Sequence, residues 1–252
     1  MAFNMADRRF RRAPGSKLLP LNLLLVLTVL SFTAAAWAQP AQVGGLFYVQ
    51  GEPGDSGNGA IAGAELQAVL HFQIAEKEFR FLEQASITKD LKKYLGEYGT
   101  AIRTLSLVRA DIKNGAFVQG GVKVSGVNYS GPGGYGKWGV VPVVGGGVTV
   151  TPRQGDSVTF GYLYLFRSKL YGQKALFDST GRILDGWTSG HQIQTEYSHA
   201  FKPKWLILVN FNAGQTTYQR NPAEYGAALG AIKHRSASLE LSVGIARKLT
   251  KN

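Results

Sequence analysis

No cysteine occurs in the 252 residues, and only two methionines. The first absence removes disulfides as a source of stability. A large core, a closed sheet or a bilayer must hold an exported chain of this size instead. Charged residues make up only 17%, and they are unbalanced, with 28 Lys and Arg against 16 Asp and Glu. The histidines His71, His191, His199 and His234 show neither His-x-His nor His-Glu-x-x-His spacing, so no metal site is expected. Pro132-Gly-Gly-Tyr-Gly lacks a Gly-Lys-Ser/Thr ending and a following helix, which makes it a hairpin turn rather than a phosphate loop. No cofactor is expected. There is no repeat beyond hairpin-scale spacing and no linker after the leader.

What is present begins with an address. Arg8, Arg9, Arg11, Arg12 and Lys17 precede an apolar stretch from Leu18 to Leu30, and Ala36-Trp37-Ala38 supplies a small-x-small site. This pattern reads as a secretory signal peptide over residues 1–38. An uncleaved anchor is the alternative, because Leu18 to Ala38 could just span a bilayer; Pro20, Asn22 and the Ala-rich end favour cleavage. Without the leader's five bases and Asp7, 23 bases and 15 acids remain. That excess suits an anionic partner such as lipopolysaccharide phosphate or an acidic polysaccharide, and nucleic acid is not expected for an exported chain.

Glycine is abundant at 32 residues, many of them inside alternating runs where a sheet would bend or twist. Residues 39–64, with Pro53 and a Gly-Asn-Gly turn, read as a flexible Gly-rich lead, and residues 65–252 as the folded body. Leu66, Ala68, Leu70, Phe72 and Ile74 alternate with Glu65, Gln67, His71 and Gln73, which is strand spacing. Ile87 to Ile112 also fits a helical period, weakened by Gly96, Gly99, Thr100 and Thr104. The favoured reading there is a strand to about Ile87, a loop or short helix near Lys89 to Tyr98, and a strand from about Thr100 to Ile112. Ala116 to Tyr129 and Lys137 to Thr151 flank a Ser-Gly-Pro-Gly-Gly turn, and Pro142 argues for a strand end or bulge.

The later strands split cleanly into two faces. Val158, Phe160, Tyr162, Tyr164 and Phe166 form one face of a strand; Leu239, Leu241, Val243 and Ile245 oppose Ser236, Ser238, Glu240, Ser242 and Gly244. In Trp187 to Gly214, Ile193, Thr195, Tyr197, Trp205, Ile207, Val209 and Phe211 oppose Gln192, Gln194, Glu196, Asn210 and Asn212. Runs of about ten residues, aromatic residues toward strand ends (Trp138, Tyr162, Phe166, Trp187, Tyr197, Phe201, Trp205, Tyr218), and tight turns alternating with longer loops such as Ser168 to Ser189 place lipid against the apolar face. An open edge cannot be left unpaired in lipid. The expected fold is all-β: a closed antiparallel up-and-down transmembrane β-barrel of eight to ten strands in a Gram-negative outer membrane.

On that reading the polar face fills the interior. Lys123, Arg167, Gln192, Gln194, Glu196 and Glu240 are the candidate interior binding residues, with Gln67, His71, Gln73 and Arg103 beside them. Acids and bases in a narrow barrel pair, because an isolated buried charge is expensive; Glu196 and Glu240 are expected to pair with Arg167 or Lys123. His234, Ser236 and Glu240 share a face, but at about 3.3 Å per residue Glu240 lies roughly 20 Å from His234, too far for a triad on one strand. No catalytic residue is assigned, and the chain is not expected to be an enzyme.

Phe166-Arg167, Phe177-Asp178-Ser179-Thr180-Gly181, Gly190-His191-Gln192 and Phe211-Asn212-Ala213-Gly214 resemble the C-terminal strands of the alginate-export type of outer-membrane porin. The resemblance covers about a quarter of residues 39–252 and implies a channel or exporter for small or acidic saccharides. Those porins are much longer and end in an aromatic residue, whereas this sequence ends Ala246-Arg-Lys-Leu-Thr-Lys-Asn252. The expected role is therefore structural or loop-mediated binding, among outer-membrane lipid and lipopolysaccharide. A saccharide channel, a lipid-modifying enzyme and a soluble periplasmic barrel are the rivals.

Overall fold

A computed structural model describes residues 39–52, 59–74, 77–91, 99–129, 136–172, 186–220 and 233–249. The signal-peptide assignment, the Ser-Gly-Pro-Gly-Gly turn and the Phe177 to Gly181 motif lie outside the described residues. So does most of the segment for which a short helix was weighed.

Ten strands close one antiparallel barrel: β1 (Gln39–Glu52), β2 (Gly59–Ile74), β3 (Lys77–Asp90), β4 (Gly99–Asp111), β5 (Ala116–Tyr129), β6 (Gly136–Val150), β7 (Asp156–Gly172), β8 (Gly186–Lys202), β9 (Trp205–Arg220) and β10 (Lys233–Lys248). Each strand pairs with its sequence neighbours, and β1 pairs with β10 to close the ring. Strands of 13 to 17 residues are long enough to cross a hydrocarbon layer of about 25 Å at the tilt of such barrels.

The Gly-rich lead expected over residues 39–64 is instead β1 and the first part of β2. Glycine hides a strand from a reading based on side-chain alternation, since it supplies no side chain to alternate. At the closure seam the missing side chains have a use. A Cβ on Gly244 would run into the Gly45 carbonyl oxygen, and one on Gly44 would lie 2.8 Å from the Ala246 Cβ, so β1 and β10 approach where bulkier residues could not. The favoured reading of a strand to about Ile87 and another from about Thr100 to Ile112 agrees with β3, which runs to Asp90, and with β4, which spans Gly99–Asp111.

The three described connections at one end, β4–β5, β6–β7 and β8–β9, are tight. Between β4 and β5, Asn114 (φ 52°) and Gly115 (φ 78°) occupy the centre of a two-residue hairpin turn, closed by Ala116 N–H donating to the Lys113 carbonyl at 2.9 Å. This is the geometry an Asn-Gly pair favours. Short turns mark the periplasmic end of an outer-membrane barrel.

The outward face is apolar. Ile193, Leu241, Ile245, Tyr162, Phe160 and Phe211 are each between 43% and 54% exposed on the barrel's outer wall. Aromatic residues gather near both rims. Trp138 stacks on Tyr171 at 4.8 Å, with Trp187 near them at the long-loop end, while Phe72 stacks on Phe79 at 5.6 Å and Phe201 and Trp205 line the short-turn end. An apolar belt between two aromatic girdles is a lipid-facing wall.

Inward-facing residues are only partly polar. Leu105, Leu107, Val141, Val143, Leu163 and Leu165 pack together inside, and Leu46, Leu206, Leu208 and Ala246 form a second interior cluster. This differs from the expectation of an essentially polar interior. A barrel of ten strands is narrow enough for side chains from facing strands to meet, and branched apolar side chains fill that space without leaving a donor unpaired.

Candidate functional site

Parity along the strands decides which side chains share the lumen. On β2 the inward residues are Glu65, Gln67 and His71; on β4, Arg103 and Arg109; on β5, Phe117, Gln119 and Lys123; on β8, Gln192, Gln194 and Glu196; on β9, Asn210 and Asn212; on β10, Glu240. Antiparallel pairing in register holds that parity from strand to strand. Polar groups far apart in sequence therefore meet across the barrel.

Among the described residues, direct bonds cross the lumen. Gln67 Nε2 on β2 donates to Glu196 Oε2 on β8 at 2.9 Å, and Asn210 Nδ2 on β9 donates to Gln67 Oε1 at 3.3 Å. Arg103 on β4 meets Glu240 on β10 at 3.4 Å, with their side chains 17% and 11% exposed. Lys123 Nζ donates to Gln192 Oε1 at 3.1 Å, and Gln119 Nε2 to Gln194 Oε1 at 3.2 Å, both joining β5 to β8. Asn212 adds a longer bond to Glu240 at 3.5 Å. Each ionised group has a partner, as a low-dielectric interior requires.

Five of the six candidate interior residues, Lys123, Gln192, Gln194, Glu196 and Glu240, lie in this network. Arg167 does not. The β7–β8 register shifts between Leu165 and Ser168, so Phe166 and Arg167 both face outward while Ser168 and Leu170 turn in. The Arg167 guanidinium lies 5.0 Å from the Trp187 ring on the outer wall. One extra residue in a bulge reverses every later side chain, a change that counting alternation from Val158 does not detect. The expected ion pairs change accordingly. Glu240 pairs with Arg103, and Glu196 accepts from Gln67, in place of Arg167 or Lys123. The expectation of a bulge near Pro142 agrees with the β6–β7 register, which shifts between Gly139 and Val143.

Toward the short-turn end lies a second polar group that the sequence reading missed. Arg109, 5% exposed, donates to Asp111 at 2.9 Å and to Thr149 at 2.7 Å, and its guanidinium sits 3.6 Å above the Phe117 ring. Phe117 lies against inward glycines; a Cβ on Gly147 would be 2.7 Å from the ring and one on Gly161 3.7 Å. Arg80 bridges to Asp111 at 2.6 Å. The signal was available, since Arg109 has the parity of Arg103 and Phe117 that of Lys123. Its meaning needed the fold.

A chamber of about 290 Å³ near the short-turn end is lined by His71, Arg80, Arg109, Thr159, Glu196 and Lys248. Deeper in, the spaces shrink to about 60 Å³ beside Gln119 and Gln194 and about 30 Å³ beside Lys123 and Glu240. Of the three residues considered for catalysis, Ser236 is bonded to Thr216 at 2.9 Å and Glu240 is held by Arg103. Among the described residues no group of three or more His, Asp or Glu could hold a metal ion.

A closed antiparallel sheet with hydrocarbon-facing girdles outside and bonded polar groups inside defines an outer-membrane β-barrel. No known family model and no curated protein matches the chain. Solved structures do. Outer membrane protease OmpT from Escherichia coli is 8% identical, with 83% of this chain and 95% of that one covered at a TM-score of 0.49. The beta domain of the Bordetella autotransporter BrkA is 8% identical, covering 84% and 100% at 0.49. The translocator domain of autotransporter NalP from Neisseria meningitidis is 11% identical, covering 91% and 97% at 0.44. At such identity these likenesses say nothing of the chain's activity.

Proposed function

We propose that this chain is a filled outer-membrane barrel with a non-catalytic role, structural or exercised through its surface loops, among outer-membrane lipid and lipopolysaccharide. The observation that carries the reading is the set of direct bonds across the lumen, from Gln67 to Glu196, Arg103 to Glu240 and Lys123 to Gln192. Side chains bonded to one another across a barrel occupy the path that a hydrated solute would need. The inward Leu163 and Leu165, 0% and 4% exposed, add an apolar obstruction beside them. Purified protein in a planar bilayer should give no steady conductance; a stable open level at moderate voltage would overturn the reading.

A second reading has one observation in its favour. Arg103, Arg109 and Lys123 put three cations in the lumen, of which Lys123 is bonded to the neutral Gln192 while Arg103 and Arg109 face Glu240 and Asp111, and Lys123 is the group that would meet small acidic saccharides of the kind the alginate-export resemblance implies. That channel would be anion-selective, and Lys123→Glu would weaken or reverse the selectivity. Hydrolysis of lipid has less support, since Ser236 and Glu240 are engaged in separate bonds. Unchanged lipid A mass profiles with and without the protein are the expected outcome.

A further inference from the structure

The bulge in β7 builds a cationic cluster on the outer wall at the long-loop end. Its register break between Leu165 and Ser168 turns both Phe166 and Arg167 outward, and the Ser168 hydroxyl donates to the Phe166 carbonyl at 3.0 Å within the irregular stretch. Lys169 follows on the same face, directly opposite Trp187 on β8. The Arg167 guanidinium lies 5.0 Å from the Trp187 ring, and the Lys169 ammonium 5.1 Å from the Tyr171 ring. Arg235, on the outward parity of Leu239 and Leu241, pairs with Thr217, which in turn pairs with Ser189. The adjacent outward pair, His191 and Gln215, is exposed and polar as well.

Charge in this region has one sign. Among the described outward residues of β7 to β10 the one carboxylate is Asp156, at the short-turn end and bonded to His199 at 2.6 Å. Neither Arg167 nor Arg235 pairs with a described acid. Cations that share a wall repel one another unless anions meet them at their own depth. That depth follows from the surroundings: Trp and Tyr rings mark the headgroup level, and long loops mark the outer face of the membrane. In a Gram-negative outer membrane the headgroups on that face are phosphorylated saccharides. We propose that Arg167, Lys169 and Arg235, with Trp187 among them, bind the phosphorylated headgroup of lipopolysaccharide. The guanidinium forks suit phosphate oxygens, Lys169 adds a point charge, and Gln215 and Thr217 offer hydrogen bonds to sugar hydroxyls. From β7 to β10 is three strand spacings, roughly 14 Å, so one headgroup with two phosphates can meet both ends of the cluster. The bulge thereby gains a use, since regular alternation would have left Arg167 in the lumen. The inference deepens the proposed role among outer-membrane lipids by naming the lipid and the wall that holds it.

The test uses the full chain folded in detergent micelles, with bound lipid counted by native mass spectrometry. Bisphosphorylated lipid A should bind, and lipid A stripped of its phosphates should bind at least tenfold more weakly to the same unaltered protein. Arg167→Gln combined with Lys169→Gln should weaken lipid A binding at least tenfold. Lys202→Gln with Lys204→Gln removes the same charge at the β8–β9 short turn and should change it less than twofold. Heat-modifiable mobility establishes that each variant is folded. Undiminished binding by the Arg167 and Lys169 variant, an equal loss in the turn control, or equal binding of stripped lipid A or of phosphatidylglycerol would overturn the inference. A soluble acidic polysaccharide that binds where lipid A does not would name another occupant and overturn it too. Steady conductance in a planar bilayer would end the filled-barrel reading and leave each of these results as expected.

Discussion

Arg103 and Glu240 show what single residues contribute inside this barrel. Each lies largely out of solvent, and each was brought to the other by strands that are 137 positions apart at these residues. Removing one partner leaves the other's charge poorly paired, which is worse than removing both. Arg103→Met should therefore destabilise the folded barrel by about 1–3 kcal/mol in urea titrations of vesicle-embedded protein. The double variant Arg103→Met with Glu240→Gln should recover part of that loss; a purely additive result would show that the pair is not coupled. Arg167 teaches a different lesson. Its charge and its neighbours in sequence suited the interior, but it lies outside beside Trp187, where a long cationic side chain can extend its head toward the polar headgroups.

Between residues and fold lie the strands and their turns, and here legibility varied with composition. β7 through β10 were readable because Tyr162, Tyr164, Ile207, Val209, Leu239 and Leu241 alternate with small or polar residues. β1 was not, because Gly44, Gly45 and Gly51 leave gaps in the pattern. The end of β3 and β4 fitted two periods at once; the strand reading was favoured by Gly99, Thr100 and Thr104, and the pairing of Ile87 with Ile102 and its neighbours bears it out. The Asn114-Gly115 pair was visible in the sequence and marks a turn. At φ 78° an alanine in place of Gly115 is strained, and its Cβ would collide with the Thr149 carbonyl oxygen. Gly115→Ala should cost at least about 1–2 kcal/mol, the penalty of the left-handed region alone. A lowered midpoint for loss of heat-modifiable mobility would record it. An unchanged midpoint would mean that this turn relaxes freely.

For the molecule as a whole, the governing fact is that its solvent is inverted. Leu241 is 47% exposed, and Glu240 beside it is 11% exposed at its side chain. In water, replacing so exposed a leucine by arginine would cost almost nothing. On a wall facing hydrocarbon, Leu241→Arg should cost about 2–4 kcal/mol, the penalty for arginine at the bilayer midplane. Reversible unfolding from lipid vesicles measures this, and a change below about 0.5 kcal/mol, typical of an aqueous surface site, would refute the lipid-facing wall.

The sequence alone determined the class of this protein, because a period of two with one greasy side, in a cysteine-free chain, admits few stable solutions. It also nominated most of the interior polar residues, since parity is local and can be counted. Only the tertiary structure decided strand number, the pairing of Arg103 with Glu240 and the outward position of Arg167. Those depend on closure and on bulges, where one extra residue or one missing side chain changes the register of everything beyond it.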